Sequence, residues 1–138
     1  GGRTMKGISV RQGKKRLAEY CWRLGGCNFE SGVHMWTVEM FKSGIACAEA
    51  EVGIIDNNEM NGVTNKAISN RKWVVKHCPN RNCTDRIYLT LDMEKKSLNV
   101  LIDTTTNEFW AQDFEFTAHD VSPFFSCSSA NVSISLVE

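Results

Sequence analysis

Along most of this chain, apolar and polar side chains alternate one by one. In "HMWTVEM" Trp36, Val38 and Met40 fall on one side of an extended backbone while Thr37 and Glu39 fall on the other, the pattern of a strand with one face in a core. "RIYLTLDM" repeats it with Ile87, Leu89, Leu91 and Met93 set against Arg86, Tyr88, Thr90 and Asp92. "SLNVLID" does so through Leu98, Val100 and Ile102, and "NVSISLV" through Val132, Ile134 and Leu136. Further strands are predicted over "AEAEVGIID" (48–56), "KWVVKH" (72–77), "FWAQDFEF" (109–116) and "DVSPFFSC" (120–127). Pro123 has no N–H to give to a ladder, so the last of these is predicted to be an edge strand or to carry a bulge. "MEKKS" (93–97) predicts a tight hairpin turn, although it lacks the usual Asn-Gly pair. Many short strands separated by polar turns predict an all-β, antiparallel two-sheet sandwich, with Trp36, Val38, Leu89, Leu91 and Phe125 in its core.

Two segments break the alternation. "KKRLAEYCWRL" places Leu17, Tyr20, Cys21 and Leu24 at helical spacing and on that ground predicts a short amphipathic helix. "NNEMNGVTNKAISN" (57–70) is polar and rich in Asn, and predicts a long surface loop of the kind in which binding concentrates.

Composition narrows the function classes. Sixteen Lys and Arg balance sixteen Asp and Glu, so no net field draws in nucleic acid or an anionic membrane. The basic run "RQGKKR" (11–16) reads as a solvated loop. No stretch reaches the roughly 18 apolar residues of a membrane span, and no signal-peptide pattern opens the chain. Six cysteines, Cys21, Cys27, Cys47, Cys78, Cys83 and Cys127, accompany 42% hydrophobic residues. A chain able to supply its own core has less need of disulfides, so buried free thiols and an intracellular, cytoplasmic setting are expected. The sequons Asn82-Cys83-Thr84 and Asn131-Val132-Ser133 point toward secretion, but such triplets arise by chance.

Taken in order, the predicted strands resemble the SPRY domain, the core of the B30.2 family. "FESGVHMWTVEM" is similar to the family's Ser-Gly-x-His-Tyr-Trp-Glu-Val-Glu-Val motif, with Met35 in place of the usual aromatic and Thr37 in place of the usual acidic residue. "EVGIID" is similar to its Val-Gly-Val strand, "DRIYLTLDMEKKSLNVLID" to its Leu-Asp-x-Glu hairpin, and "VSPFFSCSSANVSISLV" to its closing strands. The Asn-Gly turn that often follows the hairpin is replaced by "DTTTNEF". The resemblance covers 29–138 as the sandwich core, with 1–28 as a poorly matched N-terminal segment of the same domain. It implies a concanavalin-like jelly roll in which "KKRLAEYCWRL" is strand rather than helix and Trp36 is a core residue. His34, on the same face at the mouth of the strand, reads as a hydrogen-bonded structural histidine.

Chemistry finds little purchase in these residues. His34, His77, His119 and the thiols lie in no recognised nucleophile context, and no catalytic residue is assigned; the chain is expected not to be an enzyme. Cys21, Cys27, Cys78 and Cys83 form a weak alternative zinc set, with His77 beside it, but the five residues between Cys21 and Cys27 are a wide spacing. No metal or other cofactor is expected, and no phosphate cradle is visible.

The resemblance therefore implies a binding module. Its loops would grip a peptide or a folded partner, as the substrate-recognition part of a ubiquitin ligase or as an adaptor, with the isolated domain a monomer. By position, the candidate contacts are Arg23, Asn57, Asn58, Met60, Asn61, Arg71, Ser128 and Ser129, residues able to hydrogen-bond a peptide backbone or, at Met60, to offer an adaptable apolar contact. The rival reading is a carbohydrate-binding sandwich with Trp110 as an aromatic platform flanked by Asn107 and Asp113.

Overall fold

The computed structural model describes residues 9–11, 20–23, 28–44, 49–57, 60–61, 66–67, 71–106, 108–127 and 131–137, and only the backbone at 9–11, 20–23, 60–61, 66–67, 127 and 136. These residues form twelve strands and no helix: β1 (Ser9–Arg11), β2 (Tyr20–Arg23), β3 (Val33–Lys42), β4 (Ala50–Asp56), β5 (Met60–Asn61), β6 (Lys66–Ala67), β7 (Lys72–His77), β8 (Thr84–Asp92), β9 (Ser97–Asp103), β10 (Phe109–Glu115), β11 (Val121–Cys127) and β12 (Val132–Val137). A six-stranded sheet runs β1-β12-β3-β8-β9-β10 and a four-stranded sheet runs β2-β11-β4-β7. All pairs are antiparallel.

The alternation seen in the sequence becomes the inner face of each sheet. Trp36 lies opposite Leu89, which lies opposite Val100; Val38 lies opposite Ile87, which lies opposite Ile102. All six are buried, and they meet Val52, Ile54, Val75, Val121 and Phe125 of the second sheet in one continuous core. The predicted core residues Trp36, Val38, Leu89, Leu91 and Phe125 are all within it. Trp36 is 2% exposed, with the Phe29 ring 6.0 Å away. Removing such a ring from water is worth several kcal/mol at about 25 cal/mol per Å².

The second sheet is buried on both faces where β4 meets β11: Ile55 and Phe124 are fully covered although they lie outside that core. Gly53 shows how closely its strands approach. A Cβ there would stand 2.0 Å from the Trp73 carbonyl oxygen and 2.7 Å from the Val74 Cα. The glycine in "EVGIID" is thus required by backbone proximity to β7.

Three expectations need correction. Tyr20–Arg23 is strand β2, paired with β11, so the helical spacing of "KKRLAEYCWRL" misleads there; ladder bonding to a neighbouring strand overrides a short local period. The rest of that segment lies outside the described residues. The strand around Pro123 is neither an edge nor bulged against β4: β11 lies between β4 and β2, pairs without a break against β4 from Val121 to Cys127, and among the described residues pairs with β2 from Phe124 to Cys127. Within the expected loop 57–70, Met60–Asn61 and Lys66–Ala67 pair as a small ladder.

The β8–β9 turn forms as predicted, with a different device in place of Asn-Gly. Asp92 Oδ1 accepts from the backbone N–H groups of Glu94 and Lys95, each at 3.0 Å. Lys96 takes the left-handed conformation (φ 54°) that Gly or Asn usually supplies.

Trp36→Ala is expected to cost about 3–5 kcal/mol in urea denaturation. Gly53→Ala is expected to cost about 1–3 kcal/mol, since only backbone can yield to the new methyl group. Wild-type stability in Gly53→Ala would show that β4 and β7 are not so close.

Candidate functional site

One end of the sandwich is assembled from four connections. Asp56, the last residue of β4, lies opposite Val121, the first of β11. Phe29 and Val121 exchange backbone hydrogen bonds of 2.7 and 3.1 Å. Met93 N–H donates to the Gly32 carbonyl at 2.9 Å, and Phe116 N–H to the Lys96 carbonyl at 3.1 Å. Segments 28–32, 56–57 with 71, 93–96 and 116–120 therefore share this end.

Side chains stitch these segments together. Arg71 Nη2 lies 3.2 Å from Asp56 Oδ2 and donates to Thr117 Oγ1 at 3.2 Å. The Asp56 carboxylate is buried, whereas the Arg71 side chain is 44% exposed, its guanidinium 5.9 Å from the centre of the Trp73 ring. Asn57 meets Asp120 twice: backbone N–H to carbonyl at 2.9 Å, and Nδ2 to Oδ1 at 2.6 Å. Lys96 Nζ donates to the Ala118 carbonyl at 2.7 Å and lies 3.5 Å from His119 Nδ1. Satisfying loop backbone in this way fixes loop shape before any partner arrives. The exposed residues are Asn28, Glu30, Ser31, Arg71, Glu94, Lys95, Thr117 and His119, a surface of mixed sign rich in hydrogen-bonding groups.

Of the candidate contacts, Asn57 and Arg71 are at this end, and Arg23, opposite Phe124, ends the described part of β2 on the way to it. Asn58, Ser128 and Ser129 themselves lie outside the described residues, and Met60 and Asn61 are described only as the backbone of β5. Lys96, Thr117, His119 and Asp120 were not singled out by sequence reasoning. "AHD" holds two of them, but no local pattern reveals that this loop faces a turn more than twenty residues away.

The other candidate chemistries resolve into structural contacts. His34 Nε2 donates to the Ser31 carbonyl at 2.6 Å, and its ring stacks on Phe29 with centroids 3.9 Å apart, in keeping with the structural reading. At the far end, His77 Nε2 donates to the buried Asp85 Oδ2 at 2.6 Å, and Asp85 Oδ1 accepts from Thr105 N–H at 3.1 Å. The buried Lys42 donates to Cys78 Sγ at 3.5 Å, while the Cys83 thiol donates to the Arg81 carbonyl at 3.3 Å. His77, Cys78 and Cys83 thus face different partners, and among the described residues no three of His, Cys, Asp or Glu converge as metal ligands would. The Cys21 side chain and Cys27 lie outside the described residues.

The proposed sugar platform does not come together either. Trp110 and Asp113 point to opposite faces of β10, Asp113 is bonded to Asn99 Nδ2 at 2.7 Å, and the Trp110 ring is turned toward His77 at 6.2 Å. Asn107 lies outside the described residues.

The outward face of the six-stranded sheet carries a shallow groove of about 480 Å³ lined by Met35, Thr37, Tyr88, Thr90, Leu101 and Val137. Beside it Arg86 donates to Glu39 Oε1 at 2.8 Å, which holds the guanidinium pKa above its ordinary value.

No family model matches the sequence, and no curated protein matches it. Solved structures do. The TRIM65 PSpry domain superposes with a TM-score of 0.61 over 94% of this chain and 81% of its own, at 12% identity. The SPRY domain of human HERC1 superposes with a TM-score of 0.55 over 82% of this chain and 79% of its own, at 16% identity. The chain adopts a SPRY-like fold. At such low identity, what the SPRY comparison shares with this chain is the arrangement of strands, and the residues at the loop end are this chain's own.

Lys96→Met should remove the tie to Ala118, cost about 1–2 kcal/mol in urea denaturation, and quicken amide exchange at Phe116 while leaving β8 and β9 unchanged. Unchanged exchange at Phe116 would show that Lys96 does not hold the 116–120 segment.

Proposed function

We propose that this SPRY-like domain is a protein-interaction module that grips a peptide or a folded partner through the end built from 28–32, 56–57 with 71, 93–96 and 116–120. The observation that carries the reading is the set of ties from Asp56, Asn57 and Lys96, which hold these segments in shape and leave Arg71, Lys95, Thr117 and His119 exposed for contact. A rigid scaffold with preset loops reduces the ordering cost of binding. A role in selecting substrates for a ubiquitin ligase, or in an adaptor, is part of the same proposal; the names of the TRIM65 and HERC1 domains support the fold on which it rests.

We read the domain as performing no chemical step of its own. His77 and Asp85 face one another at the opposite end, where Thr105 occupies the second carboxylate oxygen, an arrangement that fixes a loop.

The experiment compares proteins captured by the wild-type domain with those captured by two variants. Lys95→Glu with His119→Glu alters the loop end, and Arg81→Glu alters the opposite end; all three positions are exposed, so melting temperatures should be unchanged. The first variant is expected to weaken capture by about tenfold or more and the second to leave it intact. Equal capture by all three would refute the loop-end assignment.

A further inference from the structure

The outer edge of β10 is built to take another strand. β10 pairs with β9 residue for residue from Phe109 opposite Asp103 to Glu115 opposite Ser97, without a bulge. Among the described residues nothing pairs with its other side, where alternate backbone N–H and C=O groups point outward. Six of its seven residues are exposed, all but Phe114. Natural sheets blunt free edges with lysine, proline, bulges or short length. The edge of the other sheet does so: β7 carries Lys72 and Lys76. β10 uses none of these.

Its charge indicates what it accepts. The whole chain is neutral, yet no Lys or Arg follows Lys96, while β9, β10 and their connection carry Asp103, Glu108, Asp113 and Glu115. Two copies joined at this edge would bring these carboxylates together, which opposes self-pairing. A cationic strand would be drawn in. On the outward face, Phe109 (63% exposed) adds an apolar contact at one end of the strand and Asp113 and Glu115 anionic ones at the other.

We propose that β10 binds an extended, lysine- or arginine-bearing segment of a partner protein by strand addition, its cations at alternate positions beside Asp113 and Glu115 and an apolar residue beside Phe109. This rests on the reading of the domain as an interaction module and places a second contact of the partner away from the loop end. Main-chain bonds supply attraction in such complexes, and the alternate side chains supply choice.

The probe is the capped peptide acetyl-Lys-Val-Lys-Thr-Val-Thr-Tyr-amide, followed by amide chemical shifts and hydrogen exchange of the whole domain. It is expected to slow exchange at alternate amides of Phe109–Glu115 and not along β7. Asp113→Lys with Glu115→Lys, both at exposed positions, should weaken it about tenfold and in turn accept the peptide with glutamates in place of its lysines. Perturbations confined to the loop end, or none at β10, would overturn the proposal. So would a concentration-dependent dimer in sedimentation that Ala111→Pro, which removes an outward N–H, abolishes, because a second copy would then be the occupant. Lys95→Glu with His119→Glu should leave peptide binding intact, which separates failure at the edge from failure at the loops.

Discussion

The register of β3 against β8 is the constraint on which the rest depends. A slip of one residue would turn Trp36, Val38 and Met40 toward water and bring Thr37 and Glu39 into the core. β9 inherits its register from β8, and β12 from β3, so every inner face of the six-stranded sheet follows from this one pairing. Trp36 gives it a bulky reference point. Its indole is almost wholly enclosed. Enclosure has a cost, since Trp36 Nε1 and His34 Nδ1 are buried without a hydrogen-bond partner among the described residues.

That same register places the loop end proposed for binding. β8 turns back at Met93–Lys96, and the backbone bond from Met93 to Gly32 ties the turn to the entry of β3. Lys96 then reaches Ala118, and the 116–120 segment delivers Asp120 to Asn57. Core pairing thus determines, through a short chain of polar contacts, the shape of a surface on which none of the core residues appear. Loops positioned this way can vary in sequence without disturbing the sheets beneath them.

Strand-level features were legible because a half-buried strand writes its burial directly as alternation, and three of the sheet's inner cross-strand rows can be read from "HMWTVEM", "RIYLTLDM" and "SLNVLID" alone. Three features were not. The spacing of Tyr20 and Cys21 imitates a helix over a stretch too short for periodicity to decide, and only pairing with β11 settles it as strand. Pro123 looked like an edge marker because a sequence does not reveal that β11 lies between β4 and β2. The loop end was legible only in part: Asn57 and Arg71 belong to it, but Lys96 reaches Ala118 and Asn57 reaches Asp120, ties across more than twenty residues that no local pattern records.

Charge distribution links the two surfaces. A neutral total conceals a chain whose cations all precede residue 97, so the sheet side formed by β9 and β10 is anionic whereas the loop end draws Arg71, Lys95 and Lys96 from earlier in the chain. For the partner proposed above, an extended basic segment would be drawn to the β10 side, while the mixed loop end would select its head by the pattern of charges rather than by their net sign. Specificity of that kind needs little affinity at either contact, because linked weak contacts raise the effective concentration of each for the other. It also explains how an edge strand without lysine or proline can remain free: its own carboxylates repel a second copy while leaving the ladder open to a strand of opposite charge.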